Sequence, residues 1–155
     1  MKVREFRTLY GTPIPDIVGY IKDYLAINKD VEILIGCDSQ CFKNRKTIFG
    51  VVIVLYKPGK GGHVLCYKDT VSLEKNMQTK LINEVWRSIE VAEFLKENGL
   101  PKAKFIDIDL NPDPRWQSNT VLRQAIGLVE GMGYKARWKR NGAMVTYAAD
   151  HLVRG

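Results

Sequence analysis

Val31-Glu32-Ile33-Leu34-Ile35-Gly36-Cys37-Asp38 and, after a polar turn at Lys43-Asn44-Arg45-Lys46, the run Thr47-Ile48-Phe49-Gly50-Val51-Val52-Ile53-Val54-Leu55-Tyr56 decide the fold class. A nearly continuous β-branched run is expected for a strand buried on both faces, so the second stretch belongs inside a covered sheet. Pro58-Gly59-Lys60-Gly61-Gly62 is a turn by composition, and His63 to Lys68 reads as a third strand. Three strands joined by short turns predict an antiparallel meander.

Downstream the period changes. Leu81, Val85, Ile89, Ala92 and Leu95 recur at helical spacing between about Met77 and Asn98, and Gly99-Leu100-Pro101 ends that helix. Ala103 to Leu110 is a fourth strand. Asn111-Pro112-Asp113-Pro114-Arg115 is a loop, and a second helix runs from Ser118 or Asn119 to about Glu130. Tyr134 to Lys139 is a fifth strand. Met144 to Val153 reads as a last helix with Val145, Ala148, Ala149 and Leu152 on its apolar face. Upstream, residues 1–30 read as an arm. Pro13 and Pro15 break it, and Asp16 caps a short helix carrying Ile17, Ile21, Tyr24 and Leu25. The expected organisation is an arm over 1–30 and one α/β domain over 31–155.

Of the 155 residues, 45% are apolar and 26% charged, which excludes a disordered tail, a collagen-like fibre and a membrane bundle. No apolar run approaches the roughly 20 residues needed to span a bilayer. MKVREFRTLYGTP carries charges where a secretion signal needs an apolar stretch, and three cysteines are too few for a disulfide scaffold. A reducing cytoplasm without membrane attachment is the expected location. The net charge is +7, and Ser39 to Lys68 holds no acid but contains Lys43, Arg45, Lys46, Lys57, Lys60 and Lys68. Such stretches favour polyanions by counterion release, or form a solvated surface without a partner.

The acids are more informative. Asp38 closes the first strand as read. Alternation puts Asp107 and Asp109 on one face of the fourth strand, away from Ile106, Ile108 and Leu110. Two carboxylates so placed repel, and burying them is costly without a cation. Glu84 lies on or beside the packing face of the first long helix, and Asp150 beside that of the last. Taken singly, Asp38 can cap a turn and Asp107 and Asp109 can line a solvated face. Glu84 can pair with Lys80, and Asp150 can be a surface acid. Together they can converge at one edge of the sheet.

Five segments in order carry a resemblance: Ile35-Gly36-Cys37-Asp38-Ser39-Gln40, Lys46-Thr47-Ile48-Phe49, Ile106-Asp107-Ile108, Gly131-Met132-Gly133-Tyr134 and Ala148-Ala149-Asp150. With the β-β-β-α-β-α-β-α order they resemble the ribonuclease H-like superfamily, most closely its YkuK-type branch of predicted RNase H-related nucleases. The resemblance covers about Val31 to Val153 and leaves out the arm. It implies a five-stranded mixed sheet in the order 3-2-1-4-5, strand two antiparallel, with helices on both faces. It also implies a nuclease using two Mg²⁺ or Mn²⁺ ions, hard cations suited to carboxylate oxygens. Asp38 would bridge the ions, Glu84 and Asp107 would complete the ligands, and Asp150 would hold the second ion; Asp109 is second choice to Asp107.

The expected partner is then RNA, an RNA–DNA hybrid or structured DNA, gripped by Lys43, Arg45, Lys46, Lys57 and Lys60. Arg115 and Trp116 can stack a base in the loop after strand four, or Trp116 can fold back onto the core. Ser118 and Asn119 orient a phosphate or merely cap their helix. His151 can aid product release. Cys37, Cys41 and Cys66 with His63 form only a loose zinc pattern, so buried thiols are favoured. Two other functions fit the composition: a non-catalytic nucleic-acid-binding module, and a metal-dependent enzyme on a small phosphorylated substrate. Oligomeric state is not legible.

Overall fold

The computed structural model of the protein describes residues 4–42, 46–72, 76–109 and 118–138. In chain order these form β1 (Phe6–Thr8), β2 (Pro13–Ile14), α1 (Ile17–Ile27), β3 (Glu32–Phe42), β4 (Lys46–Lys57) and β5 (Gly61–Ser72). There follow α2 (Met77–Glu97), β6 (Phe105–Ile108), α3 (Ser118–Gly131) and β7 (Ala136–Trp138). One mixed sheet contains them in the order β2-β1-β5-β4-β3-β6-β7. β4 is antiparallel to β3 and β5, whereas β6 is parallel to β3 and β7 parallel to β6. No described helix is long and apolar enough to cross a membrane.

The described sheet has seven strands rather than five, because the arm adds two. β1 pairs antiparallel with β5, and β2 with β1. Pro13 is tolerated there because it begins an edge strand, where no ladder donor is needed. Phe6 turns inward and meets Tyr67 edge-on, ring centroids 4.8 Å apart. Asp16 caps α1 by accepting from the Gly19 N–H at 3.0 Å. Phe6, Ile14, Ile17 and Ile21 all join the main core, so the arm and the body share one interior.

The meander is longer than its apolar runs suggest. β3 continues to Phe42, and its register with β4 is unbroken from Glu32↔Tyr56 to Phe42↔Lys46. Asp38 therefore caps no turn; it lies inside the ladder, opposite Gly50. β5 likewise extends from Gly61 to Ser72. β6 is shorter than expected, ending at Ile108, so Asp109 stands just past it.

Alternation assigns the faces. Ile33, Ile35 and Cys37 of β3 point with Phe49, Val51, Ile53 and Leu55 of β4 into the main core. Ile17 and Ile21 of α1, Val85 and Ile89 of α2, and Val121 and Ala125 of α3 pack there too. The opposite face carries a smaller buried cluster of Leu34, Val52, Val54 and Cys66. All three described helices thus pack on one face, where helices on both were expected; the helix read over 144–153 lies outside the described residues. α2 ends at Gly99 (φ 85°), where the Leu100 N–H reaches the Leu95 carbonyl at 3.1 Å and Leu100 is buried.

The arm is expected to be integral to the fold. Phe6→Ala, which empties a buried aromatic site, should lower the unfolding free energy by about 3–5 kcal/mol in urea denaturation. A loss below about 1 kcal/mol would show that the domain stands without the arm.

Candidate active site

Ser39 links two of the acids. Its backbone N–H donates to Asp38 Oδ1 at 2.8 Å, and its hydroxyl donates to Glu84 Oε1 on α2. The two contacts reach opposite faces because Asp38 and Ser39 are consecutive in β3. Cys37 and Ser39 face α2, while Asp38 faces the other side and remains 8% exposed. Glu84 is 5% exposed in the main interior. Burial pushes its carboxyl well above the ordinary range, and the negative charges of Asp38 and Asp109 push it further; the Ser39 hydrogen bond and Lys80 oppose this. The same burial, with Glu84, keeps the Cys37 thiol neutral by raising its pKa.

The fourth-strand acids divide. Asp107 follows the same face as Asp38, with Gly36 as its partner in β3. Its side chain is fully buried and gripped in a two-point ion pair: Arg137 Nε to Oδ1 at 2.8 Å and Nη2 to Oδ2 at 3.0 Å. Arg137 also lies over the Phe105 ring, 4.8 Å from its centroid. Continuing the parallel register by two residues would set Asp109 beside Asp38, and it is Asp109 whose charge reaches Glu84. Among the described residues no three acids, histidines or cysteines stand close enough to hold a metal ion. Asp38 and the position of Asp109 share one face of the sheet, and Glu84 lies on the other, joined to Asp38 through Ser39; carboxylate oxygens are the donors that suit a hard divalent ion.

A second polar network supports the helix that carries Glu84. Arg4 of the arm binds Asp69 at 3.3 Å and Glu90 at 2.8 Å. Arg87, one turn beyond Glu84, binds Asp69 at 3.1 Å and stacks 4.2 Å above the Phe49 ring. The arm is thereby tied to α2 beside the acids.

Other sequence-predicted residues fall apart spatially. Lys46 opens β4 while Lys57 and Lys60 flank the turn at its far end. The eleven steps along the 12 residues of β4 place its two ends roughly 36 Å apart, so these lysines are not one patch. Lys43, Arg45, Arg115, Trp116, Asp150 and His151 lie outside the described residues, as do the side chains of Ser118 and Asn119. The loose zinc pattern is dismantled: Cys37 and Cys66 are free and point to opposite faces. His63 instead lies within β5, stacked 5.1 Å from Tyr24 and hydrogen-bonded to the Tyr20 hydroxyl at 2.6 Å. Ser39 and Arg137 were not foreseen. Ser39 was visible only as the neighbour of Asp38, and nothing local ties Arg137 to Asp107.

Two outcomes follow. Between the ordinary glutamate pKa near 4.3 and the raised folded value, the folded state holds a proton that the unfolded chain has lost. Glu84's contribution is therefore full below pH ~4.3 and is lost as pH rises through the folded pKa. Glu84→Gln, which retains an acceptor for Ser39, should melt higher than wild type at pH 8 without metal, with the difference vanishing near pH 4. An unchanged or lower melting temperature at pH 8 would contradict this. Arg137→Gln removes the two-point cationic partner of the buried Asp107 and should cost about 3–5 kcal/mol in urea, most of it recovered by adding Asp107→Asn. Additive losses would show that the pair is not coupled.

No curated protein matches the sequence. The crystal structure of the native Prototype Foamy Virus Protease-Reverse Transcriptase aligns with a TM-score of 0.43 and 10% identity, covering 80% of this chain but 20% of that one. This chain thus spans about a fifth of that protein's length. The family model described as Ribonuclease H-like matches residues 14–154, nearly the whole chain and including part of the arm, and the chain belongs to that family.

Proposed function

We propose that the protein is a divalent-metal-dependent nuclease that hydrolyses phosphodiester bonds in RNA, RNA–DNA hybrid or structured DNA. The observation that carries this reading is the Ser39 link, whose amide donates to Asp38 and whose hydroxyl donates to buried Glu84, with Asp109 two residues past the Asp107–Gly36 pairing. Family membership supplies the reaction class. Asp38 and Asp109, which share one sheet face, would hold the metal with Asp150 as a further ligand, and Glu84 would act from the α2 side through Ser39. Asp107 is occupied by Arg137 and acts as a strut that fixes β7 to β6. A bound Mg²⁺ or Mn²⁺ would supply activation of water and stabilisation of the leaving oxygen.

The chain's own residues have distinct tasks in this reading. Ser39 orients both Asp38 and Glu84 through its amide and hydroxyl. Gly50, opposite Asp38, puts no side chain between that carboxylate and β5, leaving the sheet surface low on that side. The apolar surround of Glu84 limits water and strengthens its electrostatic interactions.

The test is a cleavage panel of single-stranded, duplex and hybrid oligonucleotides with Mg²⁺ and Mn²⁺, read beside metal-induced thermal shifts. Wild type should cleave at least one substrate only with metal, and the metal should raise its melting temperature. Asp38→Asn should abolish the thermal shift and slow cleavage about a hundredfold or more, equivalent to ~3 kcal/mol or more of barrier. Oligonucleotide binding without cleavage in either metal would sink the nuclease and leave a binding module. Absence of any metal-induced shift would remove the site itself.

A further inference from the structure

The arm contributes a feature that the acid cluster does not use. β1 and β2 form a hairpin whose tip is closed by bonds from the Thr8 N–H to the Thr12 carbonyl at 2.8 Å and from the Gly11 N–H to the Thr8 carbonyl at 3.0 Å. Gly11 takes φ 93°, the left-handed conformation that this tight tip requires. Beside it Tyr10 is 95% exposed, an unusual setting for a large aromatic side chain. A groove of about 270 Å³ along the hairpin is lined by Glu5, Phe6, Arg7, Gly11, Pro13 and Lys68.

The register connects this groove to the acids. Asp38 lies opposite Gly50, and Gly50 lies opposite Lys68, so Asp38 and Lys68 belong to one cross-strand row on one face. Arg7 is paired with Cys66, whose side chain is in the cluster on that same face. At about 4.8 Å per strand, Lys68 lies roughly 10 Å from Asp38 and β1 roughly 14 Å. The groove holds two cations against one acid, Glu5, and exposed Tyr10 is the chain neighbour of Gly11 in its lining.

We infer that the β1–β2 hairpin is a nucleic-acid-gripping element: Arg7 and Lys68 take backbone phosphates of a single strand running along this face from Asp38, and Tyr10 stacks one of its bases. The inference rests on the nucleic-acid reading above but not on cleavage. A groove with paired cations near an exposed aromatic ring is a combination that single-strand binding uses.

The experiment is fluorescence anisotropy of a labelled single-stranded oligonucleotide across a salt series, in EDTA so that cleavage cannot intervene. The proteins are wild type, Arg7→Gln/Lys68→Gln, Lys68→Arg, Tyr10→Ala and Asp38→Asn, each checked for an unchanged melting temperature. The double variant should lower the log–log salt slope by about 1.4, or 0.7 for each lost contact. Lys68→Arg should keep the wild-type slope. Tyr10→Ala should weaken binding about tenfold with no change in slope. Wild-type affinity and slope in both the double variant and Tyr10→Ala would overturn the inference while leaving the nuclease standing. The expected pattern, in a wild type that cleaves nothing when metal is added, would sustain the hairpin and overturn the nuclease instead.

Discussion

Side chains alternate along β3, so Cys37 and Ser39 point toward α2 while Asp38 points to the opposite face, and a slip of one residue would exchange them. Everything distinctive about the site depends on that register. It is held by an unbroken antiparallel ladder with β4 and by Ile33, Ile35, Leu34, Val52 and Ile53, which are buried on one face or the other. Given it, Ser39 reaches Glu84 on one side while Asp38 shares the other with Lys68, Asp107 and Arg137. The polar pair is adjacent in sequence but divided by the sheet, and its position near the end of β6 brings Asp109 into the same field.

The acids within this frame have different physical roles. Asp107 has a guanidinium in two-point contact and is fully buried, the arrangement of a structural ion pair whose loss of one partner is costly. Burial disfavours ionisation of Glu84, and the charges of Asp38 and Asp109 add to this, whereas the Ser39 hydroxyl opposes it. Separating the two behaviours moves the proposed metal-facing acid of the fourth strand from Asp107 to Asp109. It also accounts for Arg137, which would otherwise place a fixed positive charge among ligands meant for a cation.

Strong periodicity carried most of the architecture into the sequence. The β-branched β4, the amphipathic α2 with its glycine stop, and the Asp16 cap are each locally consistent, so local patterns sufficed for them. Extension of β3 through Ser39, Gln40 and Cys41 was not legible, because those residues are ordered by a ladder to distant β4 rather than by their own propensity. β1 and β2 span three and two residues, too short for any period to register. Within the site, the order of acids along the chain was legible, but the choice between Asp107 and Asp109 was not. Alternation gives both the same face, and only Arg137, thirty residues later, distinguishes them.

Diffraction from crystals soaked in Mn²⁺, with data collected at the manganese edge, tests the central claim most directly. The expected result is an anomalous peak within bonding distance of Asp38 and Asp109, with the Arg137–Asp107 pair intact. A peak on Asp107 with Arg137 displaced, or a fully soaked crystal with no peak near Asp38, would contradict it.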